Sequence, residues 1–197
     1  MSNHNRIMRT LRIIAVGLMC ATMTVPGRAQ SNGSSDSSEY LIKAGFTYNF
    51  AKLMQWPASA FPQPDSPIVI GILGADPFGG TLDEVLAGKK VNGRGFLVRH
   101  LKWGGNELKD CNILFVSTSE MGHVDEIFRL VKGLPILTIG EMPNFARRGG
   151  IINFILEDDK VRFEVNVEAA KQADINISSR LLTLAKIVSP GDGSKSP

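Results

Sequence analysis

The chain has 197 residues, 43% of them hydrophobic and 21% charged, with 22 basic against 19 acidic side chains. That balance excludes a disordered or low-complexity chain and fits an ordinary globular one. Four of the arginines lie in the first 29 residues, which hold no acid; the rest carries 18 basic against 19 acidic groups and makes no electrostatic case for nucleic acid.

Residues 1–29 read as an export signal peptide. Arg6, Arg9 and Arg12 form a basic start, 13–23 is apolar, and Pro26 breaks the run. Gly27 and Ala29 then place small residues before a cut at Gln30. So short an apolar run falls below the roughly 20 residues a membrane-spanning helix needs. Cys20 follows Met19, where a lipid-attachment site wants a small residue. Removing the leader leaves Cys111 as the only cysteine, so no intramolecular disulfide can form.

Residues 30–38 (QSNGSSDSS) predict a disordered linker. In 39–56, Leu41, Ile42, Ala44, Phe46, Phe50, Leu53 and Met54 recur at spacings of mostly three and four, which predicts an amphipathic helix stopped at Trp56-Pro57. Its aromatics read as core, with a ligand pocket as the alternative. A proline-punctuated loop follows, and then 68–74 is a continuous apolar run, as in a strand covered on both faces. Asp76-Pro77 reads as the cap and first residue of a helix through Leu82, Val85 and Leu86, ended by Gly88. The glycines around it match neither G-x-G-x-x-G nor a P-loop and read as turn geometry.

Further strands are predicted at 96–101, 112–117 and 135–140. Between the last two, Ser119 reads as the cap of a helix carrying Val124, Ile127, Phe128 and Val131. Residues 151–156 and 161–167, joined by the acidic turn 157–160, predict an antiparallel hairpin. In its second strand Val161, Phe163, Val165 and Val167 alternate with Arg162, Glu164 and Asn166, which predicts one buried and one solvated face. Asn166 caps a helix from Val167, and Ser178-Ser179-Arg180 opens an amphipathic run through Leu181, Leu182, Leu184, Ala185 and Val188. The expected fold is a single α/β domain over 39–189, with a largely parallel sheet, helices on both faces and a C-terminal antiparallel hairpin. Residues 190–197 are expected as a flexible tail.

The residues offer little chemistry. His123 near Glu126 is the nearest approach to a metal pair. Ser117, Ser119, His123 and Asp125 crowd one strand-to-helix turn without a G-x-S-x-G elbow. Cys111 reads as a structural thiol, with only Lys109 close enough in sequence to activate it. Arg147 and Arg148, set before two glycines, are the candidate contacts for an anion or ligand. No catalytic residue, metal or cofactor is expected, and an enzyme is the least supported reading.

Four stretches in order carry a family resemblance: YLIKAGFTYNFAKLMQWP; the pair IVIGILGADPFG and CNILFVSTSE; LPILTIGEMPNFARRGGIINFILEDDKVRFEVN; and ISSRLLTLAKIV. Within them stand F-x-x-x-G-G-x-I-x-F, R-F-x-V-N and S-S-R-L-L-x-L-A. Over 39–189 the chain resembles the YfiR family, a domain of the DUF4154 type. The resemblance implies a dimeric periplasmic repressor that restrains an inner-membrane diguanylate cyclase, and so controls cyclic-di-GMP and biofilm formation. Capture by an outer-membrane lipoprotein would release it. It also implies that the partner of a given member is a cyclase or a histidine kinase. The cysteine-pair chemistry linked to the repressor cannot operate within a chain holding only Cys111, although a bridge between chains through Cys111 stays open. Partner contacts are expected around the closing hairpin, at Phe154, Arg162, Glu164 and Arg180. The alternative is a periplasmic small-molecule sensor using the aromatics of the first helix and Arg147-Arg148.

Overall fold

The computed structural model describes residues 33–191. The expected signal peptide, its cleavage point, the start of the linker and most of the tail lie outside the described residues.

Helix α1 (Gly33–Leu53) begins inside the polar stretch read as linker. Its buried face is Lys43, Ala44, Thr47, Phe50 and Ala51, a stripe at helical spacing. The helix ends three residues before Trp56 because Met54–Gln55 (β1) leave it to pair antiparallel with β8 (Asn176–Ile177).

Strand β2 (Ile68–Leu73) is covered on both faces, as its unbroken apolar run predicts. Helix α2 (Thr81–Leu86) starts later than Asp76-Pro77 suggests. The Asp76 carboxylate accepts from the Phe78 amide at 2.8 Å, which makes a local turn rather than a helix cap. Gly79 and Gly80, both left-handed, then carry the chain into the helix. Strand β3 (Phe96–Leu101) pairs parallel with β2 at the sheet edge. On the other side of β2 lies β4 (Ile113–Val116), followed by a 3-10 turn and α3 (Val124–Val131). The cap of that turn is Ser117, not Ser119.

Strand β5 (Leu137–Gly140) continues the parallel ladder, and β6 (Ile152–Glu157) joins it only at Ile152 and Asn153. Beyond Asn153, β6 keeps a ladder partner on one side alone, β7 (Lys160–Val165), so the hairpin runs past the end of the sheet. Asp158 and Asp159 at its tip both have φ near +50° (51° and 56°), as a tight two-residue hairpin turn requires. After β7 come α4 (Val167–Gln172), β8, α5 (Ser179–Leu182) and β9 (Lys186–Ile187), which pairs parallel with β7. The seven-stranded order is β3-β2-β4-β5-β6-β7-β9.

One core cluster packs α1, α2, α4 and α5 on one face of the sheet around Phe50, Phe115, Phe154 and Phe163. A second packs α3 on the opposite face around Leu114, Ile127 and Phe145. The α/β expectation with helices on both faces therefore holds. The solvated face of β7 needs correction: Arg162 is exposed, but Glu164 and Asn166 are buried. The loop between β5 and β6 covers them, since Arg147 bonds Glu164 and the Asn166 amide donates to the Ala146 carbonyl at 2.7 Å.

Candidate functional site

In an open sheet whose strand order reverses, ligands bind beyond the carboxyl ends of the strands at the reversal. Here that point lies between β2 and β4, and the protein fills it itself. The Ser119 hydroxyl accepts from the Ala75 amide at 3.0 Å, so close that a side chain at Gly74 (φ +90°) would collide with it. Gly74 is thus needed for packing rather than for a phosphate. Ser119 is occupied there instead of capping a helix.

The nearby candidate lies at the end of β5. A cleft of about 520 Å³ opens where β6 parts from β5, and α1 closes one side of it. Lys43, buried on α1, reaches Glu141 just after β5 at 2.5 Å and Glu39 at 2.5 Å. The Tyr40 hydroxyl donates to the other oxygen of Glu141 at 3.0 Å. Across the cleft, Arg147 bonds the buried Glu164 carboxylate at 2.6 Å. The second Glu164 oxygen accepts from the Asn153 amide nitrogen at 3.3 Å, between residues that face each other in the β6–β7 register. Asn153 is 2% exposed, and its carbonyl oxygen has no hydrogen-bond partner. A buried acceptor left in that state costs about 1–3 kcal/mol.

The sequence-level candidates scatter around this cleft. Arg147 points into it, whereas Arg148 turns outward to Asp125 at 2.9 Å, so the two arginines make no joint anion site. Phe154 lies in the aromatic core with Phe46, Phe50 and Phe163. Burial takes Phe154 and Glu164 away from any free contact surface, while Arg162 and Arg180 remain exposed. His123 bonds Glu120 at 2.9 Å and stacks on Trp103 rather than meeting Glu126. No group of metal-ligating side chains converges among the described residues. Cys111 is buried, and its thiol is pushed up to about 11, chiefly by loss of water.

A family model described as DUF4154, YfiR/HmsC-like, matches residues 40–186. The chain belongs to the YfiR/HmsC-like family. Among curated proteins none matches it. Two solved structures are similar at low identity. One is the ABC domain in complex with L-Trp from Streptococcus pneumonia, at 12% identity and TM-score 0.46, covering 61% of this chain and 54% of that one. The other is a conserved domain protein from Vibrio cholerae O1 biovar El Tor, at 9% identity and TM-score 0.47, covering 74% of this chain and 59% of that one. The chain spans a little over half the length of each.

The motifs that carry the YfiR/HmsC-like resemblance are, in this member, largely packing devices. In F-x-x-x-G-G, the fully buried ring of Phe145 is wedged between the backbones of Gly140 and Gly150. A Cβ at Gly140 would come within 2.6 Å of that ring, and one at Gly150 closer still. The Asn of R-F-x-V-N ties the β5–β6 loop and α4 together with three bonds: its backbone amide donates to Ile151, its side chain donates to Ala146, and its side-chain oxygen accepts from Ala169.

The sequence marks Tyr40 only as one of the first helix's aromatics, read as core with a ligand pocket as the alternative, and gives Lys43, Glu141 and Asn153 no role. One signal was there for Lys43, a charge set in the buried stripe of an amphipathic helix. Glu141 and Asn153 carry no local mark, because only the β5–β6 pairing brings them together.

Proposed function

We propose that the chain is a periplasmic, non-enzymatic regulator that binds and restrains a membrane signalling protein with diguanylate cyclase or histidine kinase output. The observation that carries this reading is the family match over residues 40–186. It is supported by exposed apolar groups near the closing hairpin and after α5: Leu156 at 60% exposure, Leu184 and Ile187. Arg162 and Arg180 are also exposed and would supply charged contacts to such a partner. Restraint requires tighter binding to the inactive state of the receptor, each 1.4 kcal/mol of difference shifting the population about tenfold. Removal of the regulator by a second partner, such as an outer-membrane lipoprotein, would then switch the receptor on; a homodimer is part of the same proposal.

The test is recovery of the tagged chain from detergent-solubilised membranes of its own host, followed by mass spectrometry. Co-recovery of a receptor bearing one of those output domains, reduced by Leu156→Glu, is the expected result. Repeated recovery of the chain alone would overturn the reading.

A further inference from the structure

We infer that the free edge of β3 is a strand-addition site for an extended acidic segment of a partner protein. β3 closes the seven-stranded sheet at the end opposite β9, away from the hairpin. The Ile68 amide donates to the Gly95 carbonyl at 2.9 Å, and the Gly74 amide to that of Leu101 at 3.1 Å. In a parallel ladder this turns the backbone of the odd-numbered residues of β3 toward β2. Phe96, Val98 and His100 therefore turn their amides and carbonyls outward, where no backbone bond between described residues meets them. With no proline or bulge to interrupt it, this row is a template for one more strand.

Charge selects the occupant. Residues 89–102, which span the strand, hold Lys89, Lys90, Arg94, Arg99 and Lys102 and no acid. Arg94 is committed to the Gln63 and Ser66 carbonyls. Lys90, Arg99, Lys102 and, further on, Lys109 are exposed, and no ion pair between described residues holds them. An added strand drops alternate side chains onto the two faces of the sheet. On one face stand Arg99 and Lys109 beside Leu97, which is 40% exposed. On the other stand Lys89 and Lys90 beside Phe96 and Val98. The acids around the edge are fewer: Asp110 and Asp83, one on each face, and Asp76, bonded to His100 at 3.0 Å.

A second copy of the chain would bring these cations against their own kind, which is how edge lysines guard a sheet from self-pairing. A strand alternating acids with apolar residues meets no such barrier. It finds a cation and an apolar side chain on either face, and the outward backbone groups fix its register. The inference stands independently of the membrane partner proposed above.

Isothermal titration at low ionic strength, with the chain purified from its host, tests this with short capped peptides of equal length. One alternates glutamate with valine, another has lysine in place of glutamate, and the last is the acidic peptide N-methylated at every amide. The acidic peptide binds at millimolar concentration or better, and the other two at least roughly tenfold more weakly. Val98→Pro removes an outward amide that no native backbone bond uses, and weakens the acidic peptide about tenfold. Lys90→Glu with Arg99→Glu, both at exposed positions, weakens it likewise and serves where Val98→Pro does not fold. Failure of the acidic peptide to bind, equal binding of either control, or affinity unchanged in the folded variants overturns the inference. So does a dimer in sedimentation that Val98→Pro dissociates, which would give the edge to a second copy.

Discussion

Cys111 is held by its surroundings in the neutral form. Gly71 leaves room for its sulfur, a Cβ there coming within 2.6 Å of Sγ, and the thiol lies 3.6 Å from the Glu107 carbonyl. Burial is the largest influence, Asp110 and Glu107 add to it, and Arg99 opposes it. Because the folded value of about 11 exceeds the ordinary 9.0, the unfolded chain gives up this proton first as pH rises. Stability from this group is therefore complete below pH 9.0 and is lost on rising toward about 11. Urea unfolding across that window should show a fall in stability that Cys111→Ala lacks, and native Cys111 should resist alkylation at neutral pH. A native thiol alkylated as fast as the denatured one would contradict this. The thiol was legible as structural because only Lys109 stands near enough in sequence to activate it. The partnerless oxygen of Asn153 was not, because it depends on where one amide points.

At the scale of elements, the ion pairs of Lys43 tie α1 to the end of β5. Lys43 and Glu141 are both nearly buried, so removing one leaves an uncompensated charge. Lys43→Met should cost about 3 kcal/mol in urea unfolding, and Lys43→Met with Glu141→Gln should recover most of it. Equal losses in the single and double variants would show that the bond, not the stranded charge, carries the cost. Elements whose signals are local were legible: the hairpin from its alternation and acidic turn, and α4 from Asn166, whose side chain accepts from Ala169. The two-residue strands β1, β8 and β9 are too short to carry a period, and only tertiary pairing creates them. The start of α2 was misplaced because an aspartate before proline makes a turn as readily as a cap. The burial of Glu164 escaped for another reason: alternation tells which residues share a face, not what later covers it.

At the scale of the whole molecule, one sheet serves both cores, and neither can lose its floor without exposing the other. The two tryptophans of the chain report on opposite faces, Trp56 beside the α1 core and Trp103 beside the α3 core. Trp56→Phe and Trp103→Phe each leave a single emitter, and each variant's fluorescence midpoint in urea should coincide with its own circular-dichroism midpoint. A persistent separation would mean that the two faces unfold in turn. The alternation of apolar strands with helices made the parallel sheet legible. The strand order was not, since period and caps do not say on which side of β2 the chain returns.

The hairpin turn also sets a parity. Its two aspartates fix the register in which Asn153 faces Glu164 and Phe154 faces Phe163. One residue more in either strand would exchange odd for even along that arm, sending its phenylalanine toward the ion pairs and its polar neighbour into the aromatic layer. The sorting of polar from apolar at this end of the molecule thus depends on a count, and no single side chain of the arm could restore it.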